Sequence, residues 1–229
     1  MNTCFVSRRL LALRWFIGVA LIASIMAYTE TARGVVIPIS NFSFEGTPDA
    51  LDGSTAAGTI QDWSDNGTNR GTVDPNPSIS FYPLTPADGD QYAWVSNPVY
   101  LRQQPTTFAA VPITYTLTVD VAGLVGGGFT SPYVVSILDP SNLSGTPLAS
   151  ASGDRNQTNE WLTVSVAYFS SGVLNGQPFW IELKTPSGTQ TLFDNVHLVD
   201  TPEPGSLGML ALGGVGLVSC KWRGRRRIA

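Results

Sequence analysis

The amino-acid sequence predicts an all-β chain: a two-sheet antiparallel β-sandwich or jelly roll, flanked by an N-terminal signal helix and a C-terminal hydrophobic helix. Three observations predict it. Apolar side chains in the middle of the 229 residues recur with period two, not 3.6, the spacing of strands with one wet face. Gly and Pro, 23 and 16 residues, fall between these runs as turn signals. Uncharged apolar stretches without alternation stand only at the two ends.

Residues 1–33 read as a secretory signal. Arg8, Arg9 and Arg14 precede the uncharged run Trp15 to Thr29, the order of a positive and then an apolar region. Residues 34–200 form the body. It holds Arg70, Arg102, Arg155 and Lys184 against fifteen acidic residues, a net charge of −11. Such a surface repels phosphate backbones, so no nucleic-acid partner is expected. Cys4 and Cys220 lie outside the body, so no disulfide framework holds it.

Within the body, Ile113, Tyr115, Leu117, Val119 and Val121 alternate with Thr114, Thr116, Thr118 and Asp120. Leu162, Val164, Val166 and Tyr168 repeat the pattern, as do Phe179, Ile181 and Leu183. Further strands are expected over 41–45, 59–63, 79–83, 91–96, 133–138 and 192–199. Turns at Asp139-Pro140, Gly145-Thr146-Pro147 and Pro186-Ser187-Gly188 separate them. About ten short strands of this kind close into two facing sheets.

Residues 201–229 begin with Thr201-Pro202-Glu203-Pro204, which breaks regular structure because proline fixes φ and lacks an N–H. Gly205 to Cys220 is uncharged and rich in Gly and Leu, and Lys221, Arg223, Arg225, Arg226 and Arg227 follow. Arginines in that place stay cytoplasmic. The ordered set Pro202-Glu203-Pro204, Leu207 to Val218 and Arg223 to Arg227 resembles the PEP-CTERM sorting domain. The resemblance implies a Gram-negative bacterium, an exosortase-type enzyme as partner, passage through the membrane on the C-terminal helix, and a cell-surface or extracellular-matrix destination.

The body in turn resembles a carbohydrate-binding-module family of galactose-binding-like jelly rolls. The residues that carry this are Asn41-Phe42-Ser43-Phe44-Glu45-Gly46, Trp63, Asp88-Gly89-Asp90-Gln91-Tyr92-Ala93-Trp94, Tyr115-Thr116-Leu117, Glu160-Trp161-Leu162-Thr163-Val164 and Phe193-Asp194-Asn195-Val196. The resemblance implies a structural Ca²⁺ joining the first and last strands through Glu45 and Asp194, whose hard oxygens suit that ion. By alternation Asp194 shares a face with Leu192, Val196 and Leu198, so its carboxylate points inward and needs a partner. The alternative is a turn cap or a backbone N–H at the sheet edge.

Sugar binding calls for aromatic faces beside polar groups. Trp180 lies opposite Phe179, Ile181 and Leu183 with Glu182 and Lys184 beside it, an outward Trp on a wet strand face. Trp94, sharing a face with Tyr92, is a second candidate, with Trp63 and Trp161 weaker ones. Catalysis has little footing. His197 is the one histidine, and no Gly-x-Ser-x-Gly elbow occurs. The expectation is an exported, non-catalytic surface or matrix protein. A carbohydrate-binding module that takes a polysaccharide is the alternative, and a two-carboxylate glycan hydrolase a weaker one.

Overall fold

A computed structural model describes residues 34–46, 50, 54–75, 82, 84–126, 128–156 and 160–202. The expected signal segment, the sorting tail beyond Pro202 and the expected strand at 79–83, of which only Tyr82 is described, lie outside them. No helix occurs among the described residues.

Twelve strands run in chain order: β1 Val35–Ile37, β2 Ser54–Ala57, β3 Ser64–Asp65, β4 Arg70–Asp74, β5 Tyr92–Ser96, β6 Tyr100–Thr107, β7 Ile113–Gly123, β8 Pro132–Leu138, β9 Ala149–Asp154, β10 Leu162–Ser170, β11 Pro178–Lys184 and β12 Gln190–Pro202. One sheet has the order β10-β7-β12-β5-β4-β2, with β1 also paired to β12; the other has the order β3-β6-β11-β8-β9. The fold is the two-sheet antiparallel sandwich that the alternation implies. Together these strands and their loops form one compact unit, Gly34–Thr201.

The inward residues of both sheets make the main core. Leu117, Val119 and Val121 from β7, Val135 and Ile137 from β8, and Ile181 and Leu183 from β11 are all fully buried. At one end Phe179 stacks on Tyr115 at 4.7 Å and on Phe108 at 4.9 Å between ring centroids. Such pairs add about 0.5–1.5 kcal/mol each beyond the area they bury. A second apolar cluster of Val73, Leu84, Tyr92, Ala122, Leu124 and Leu192 is covered by Tyr82, Trp94, Phe129 and Trp161.

Two expected strands are not strands. Residues 41–45 and 59–63 are turns, because Asn41, Phe44 and Asp62 adopt positive φ of 48°, 60° and 64°. Strained L-residues of this kind persist only where the surroundings hold them. Here Phe44 is fully buried against Trp63, and the Trp63 Nε1–H donates to the Asn41 carbonyl at 3.1 Å. The second correction concerns the last strand. Asn195 has φ of 51°, and this irregularity reverses the alternation within β12. Phe193, Val196 and Leu198 therefore enter the main core, while Leu192 joins the second cluster. Asp194 does not share the face of Val196 and Leu198.

Candidate functional site

The outward face of the five-stranded sheet is built by plain alternation. In β11, Phe179, Ile181 and Leu183 go into the core, which leaves Trp180, Glu182 and Lys184 on the other side. The register sets three rows across this face: Lys184 lies between Tyr100 and Val134, Glu182 between Arg102 and Ser136, and Trp180 beside Leu138. A bulge in the β11–β6 pairing between Phe179 and Ile181 leaves Trp180 without a register partner on β6. Bulges re-aim side chains in this way.

Two depressions occupy the face. One, of about 340 Å³, is lined by Tyr100, Arg102, Glu182, Lys184, Asn66 and Ser144 among others. The other, of about 350 Å³, is lined by Trp180, Gln104, Asp62 and Ser64 and shares Arg102. Arg102 is the divider between them. Its Nε donates to Glu182 Oε2 at 2.7 Å and its Nη2 to the Leu143 carbonyl at 2.8 Å. Its guanidinium lies 3.9 Å from the Tyr100 ring centroid. The two charged side chains are only 14% and 9% exposed, so this pair is a fixed, desolvated part of the floor. The half-buried Trp180 adds an indole beside it.

A second constellation forms around Glu45 and Asp194. Asp194 is fully buried; its Oδ2 accepts from the N–H groups of Ala87 and Asp88 at 2.7 and 3.1 Å, and its Oδ1 accepts from Asn195 N–H at 2.7 Å. Glu45 Oε1 accepts from Asp90 and Gln91 N–H at 3.0 and 2.9 Å. The two carboxylates thus grip the turn 87–91 from both ends. Gly89, at φ of 68°, lies so close to the Glu45 carboxylate that a Cβ there would collide with it. Burial pushes Asp194 up to about 8 despite the three N–H donors, and the Glu45 charge adds to the rise. Glu45 is raised as well, by burial first and by the charges of Asp90 and Asp88 after it. Among the described residues no Lys or Arg pairs with either carboxylate. No group of three or more His, Cys, Asp or Glu side chains gathers there to hold a metal.

The sequence-derived candidates separate accordingly. Trp180 and Glu182 share one face, Glu182 being tied to Arg102. Trp94 sits on β5 in the other sheet and packs on the second apolar cluster, with its Nε1–H buried and unbonded. Trp161 closes that cluster from above, edge-on to Tyr92 at 5.4 Å and bonded to the Thr85 carbonyl at 2.8 Å. Trp63 is core. His197 is exposed and stacks on Phe42 at 5.4 Å. Of the sorting residues, Pro202 ends β12, and Glu203, Pro204, Arg223, Arg225, Arg226 and Arg227 lie outside the described residues. Sequence reasoning missed Arg102 and Tyr100, because β6 carries Pro105 and shows no run of alternating large apolar residues.

The family model described as HpiC1-like, HpiC1 cyclase, matches residues 35–199. The chain belongs to the HpiC1-like family. The PEP-CTERM protein-sorting motif matches residues 200–227, which makes this HpiC1-like protein an exported one sorted to the cell envelope. A Stig cyclase from Fischerella sp. TAU, solved with (3Z)-3-(1-methyl-2-pyrrolidinylidene)-3H-indole, is 23% identical. It superposes at a TM-score of 0.61 over 74% of this chain and 99% of that one. An apo cyclase from Fischerella sp. is 22% identical at 0.62, over 75% and 98%. The CBM22-1 xylan-binding domain of Paenibacillus barcinonensis Xyn10C, 12% identical, reaches 0.46 over 75% and 98%. No curated protein is detectably related in sequence. At these identities the two Fischerella cyclases show the fold alone. Because the family takes its name from a cyclase, kinship gives no support to the expectation of a non-catalytic body.

Proposed function

We propose that this HpiC1-like protein is an exported, non-catalytic glycan-binding module of the cell surface or extracellular matrix, and that the outward face of β3-β6-β11-β8-β9 is its binding face. The observation that carries the reading is the pair of adjoining depressions on one sheet, divided by the fixed Arg102–Glu182 pair and flanked by Trp180. A sugar ring presents C–H groups to an aromatic face and hydroxyls to fixed donors and acceptors. This face offers an indole, a phenol, amides from Asn66 and Gln104, and hydroxyls from Ser64 and Ser144. Rigid polar groups on a strand keep their geometry better than loop residues do. The tail then acts through an exosortase-type enzyme to place the module in the envelope, after transient retention in the inner membrane.

Calcium belongs to the same proposal as a structural ion. Two carboxylates raised by burial, with no paired cation among the described residues, suit a hard divalent ion. Glu45 and Asp194 would hold it, with backbone carbonyls completing the shell because no third acidic side chain joins them. When bound, the ion neutralises both carboxylates and fixes the turn.

The test is calorimetric titration of the purified full-length protein with a panel of glycan oligomers, beside Trp180→Ala. Loss of about tenfold or more in affinity with an unchanged Tm supports the binding face. Full affinity in Trp180→Ala refutes it. A second reading, an enzyme, is favoured by family membership and by the Asp194 carboxyl, which retains a proton near neutral pH beside Tyr92. Turnover of an indole-bearing precursor by the full-length protein, abolished in Asp194→Asn, would shift the assignment to that reading.

A further inference from the structure

The body carries four basic side chains against fifteen acidic ones, so where those four stand is informative. Arg70 is spent on Asp65 at 2.8 Å and on Thr59. Arg155 donates to the Glu160 carbonyl at 2.7 Å. The remaining two, Arg102 and Lys184, both line the same depression on the five-stranded sheet. Arg102 is committed to Glu182, the acidic side chain lining that depression. Lys184 has no acidic partner within 4 Å among the described residues and is only half-buried, between Tyr100 and Val134. After the internal pair is discounted, this part of the face retains one positive charge on a surface that is otherwise strongly negative.

An ammonium in that place disfavours a neutral ligand that leaves it unpaired in a partly dry groove and favours one that brings a carboxylate. The distant negative charges do not cancel this. Exposed charges are screened over about 8 Å at physiological salt, and the contact at Lys184 is local. Lys184 and Trp180 are four residues apart on β11, or ~13 Å along the strand. One sugar ring does not reach both, so the ligand that uses both is a chain.

We propose that Lys184 makes this face select acidic glycans, polysaccharides whose repeating units carry uronate carboxylates, with the carboxylate on Lys184 and a ring of the same chain on Trp180. The inference rests on the glycan-binding reading given above. The experiment compares a galacturonate hexamer with its carboxyl-reduced counterpart, titrated into full-length wild type, Lys184→Met and Lys184→Arg. Wild type should prefer the acid by about tenfold, and the preference should shrink as salt is raised. Lys184→Arg should keep it, and Lys184→Met should bring the ratio of the two affinities to about one. Equal affinity of wild type for both hexamers, or a preference that survives Lys184→Met, overturns the role of Lys184 while leaving glycan binding intact. No binding of either hexamer, nor of any glycan in the panel, by protein with a cooperative melt removes the glycan reading itself, and this inference with it.

Discussion

The carboxyl of Asp194 should give this protein an inverted pH response. Most aspartates gain stability for the folded state as pH rises, because their folded pKa lies below the unfolded one. Asp194 is raised from an ordinary value of 3.8 to about 8, with burial the largest cause. Below about pH 4 both states hold the proton and nothing is lost. Between about pH 4 and 8 the unfolded chain releases a proton that the folded chain keeps, so stability falls as pH rises and levels off above 8. Four pH units at 1.36 kcal/mol each make the fall about 5 kcal/mol, a large share of the 5–15 kcal/mol typical of a domain. In Asp194→Asn the amide oxygen keeps the donors Ala87 and Asp88, but the bond from Asn195 N–H is lost, at about 1–3 kcal/mol. In chelator, wild type should therefore be the more stable protein at pH 4, and Asp194→Asn at pH 9. Urea denaturation of both full-length proteins at pH 4, 7 and 9 checks the crossing. Added calcium should restore wild type at pH 9, by about 2.7 kcal/mol at a hundredfold excess over Kd, and leave the variant unmoved. A constant deficit of the variant at every pH in chelator would refute the reasoning.

Three further outcomes are expected. Arg102→Met leaves the Glu182 carboxylate buried without its partner and should cost about 3–5 kcal/mol in urea denaturation, while the double variant Arg102→Met/Glu182→Gln should recover most of it. Gly71→Ala would drive a Cβ into the Ala56 carbonyl and the Trp94 indole, so spreading β2 from β4 should lower the Tm by several degrees, for a loss of about 1–3 kcal/mol. Phe108→Ala removes the ring at the centre of the Tyr115, Tyr168 and Phe179 cluster and should cost about 3–5 kcal/mol by the same denaturation assay.

The long strands were legible because their physics is local. In β7, β10 and β11 one face is wet and the other dry, and alternation states this directly. The elements that escaped lack that contrast. In β9 the segment Ala149-Ser150-Ala151-Ser152-Gly153-Asp154 has no large side chain to mark a face, and it is held by pairing to β8. In β4, Arg70, Gly71, Thr72 and Val73 are all buried, so alternation of polar and apolar residues vanishes. Asn41-Phe42-Ser43-Phe44 reads as a strand, yet tertiary packing of Phe44 on Trp63 holds it in a turn. At the binding face, Trp180 was visible as a large ring on the wrong side of an alternating strand. Arg102 and Tyr100 were not, since only the register between β6 and β11 sets them beside Glu182 and Lys184. The inward carboxylate at 194 was anticipated, but the positive φ at Asn195 that decides its face leaves no mark in composition.

The position of β12 bears on the order of events during export. Chains emerge from the N-terminus, and β12 is the last strand of the body to appear. It lies inside its sheet, with β7 and β5 as neighbours and β1 paired at Val35–Asp200. Until it arrives, those strands have an open edge and the core lacks Phe193, Val196 and Leu198. The sorting motif starts at residue 200, within the same strand. The sandwich therefore zips shut only as the address label follows it out, and a chain cut short before Gln190 loses the keystone and the label together. A truncated copy that cannot close its sheet therefore also lacks the sorting motif.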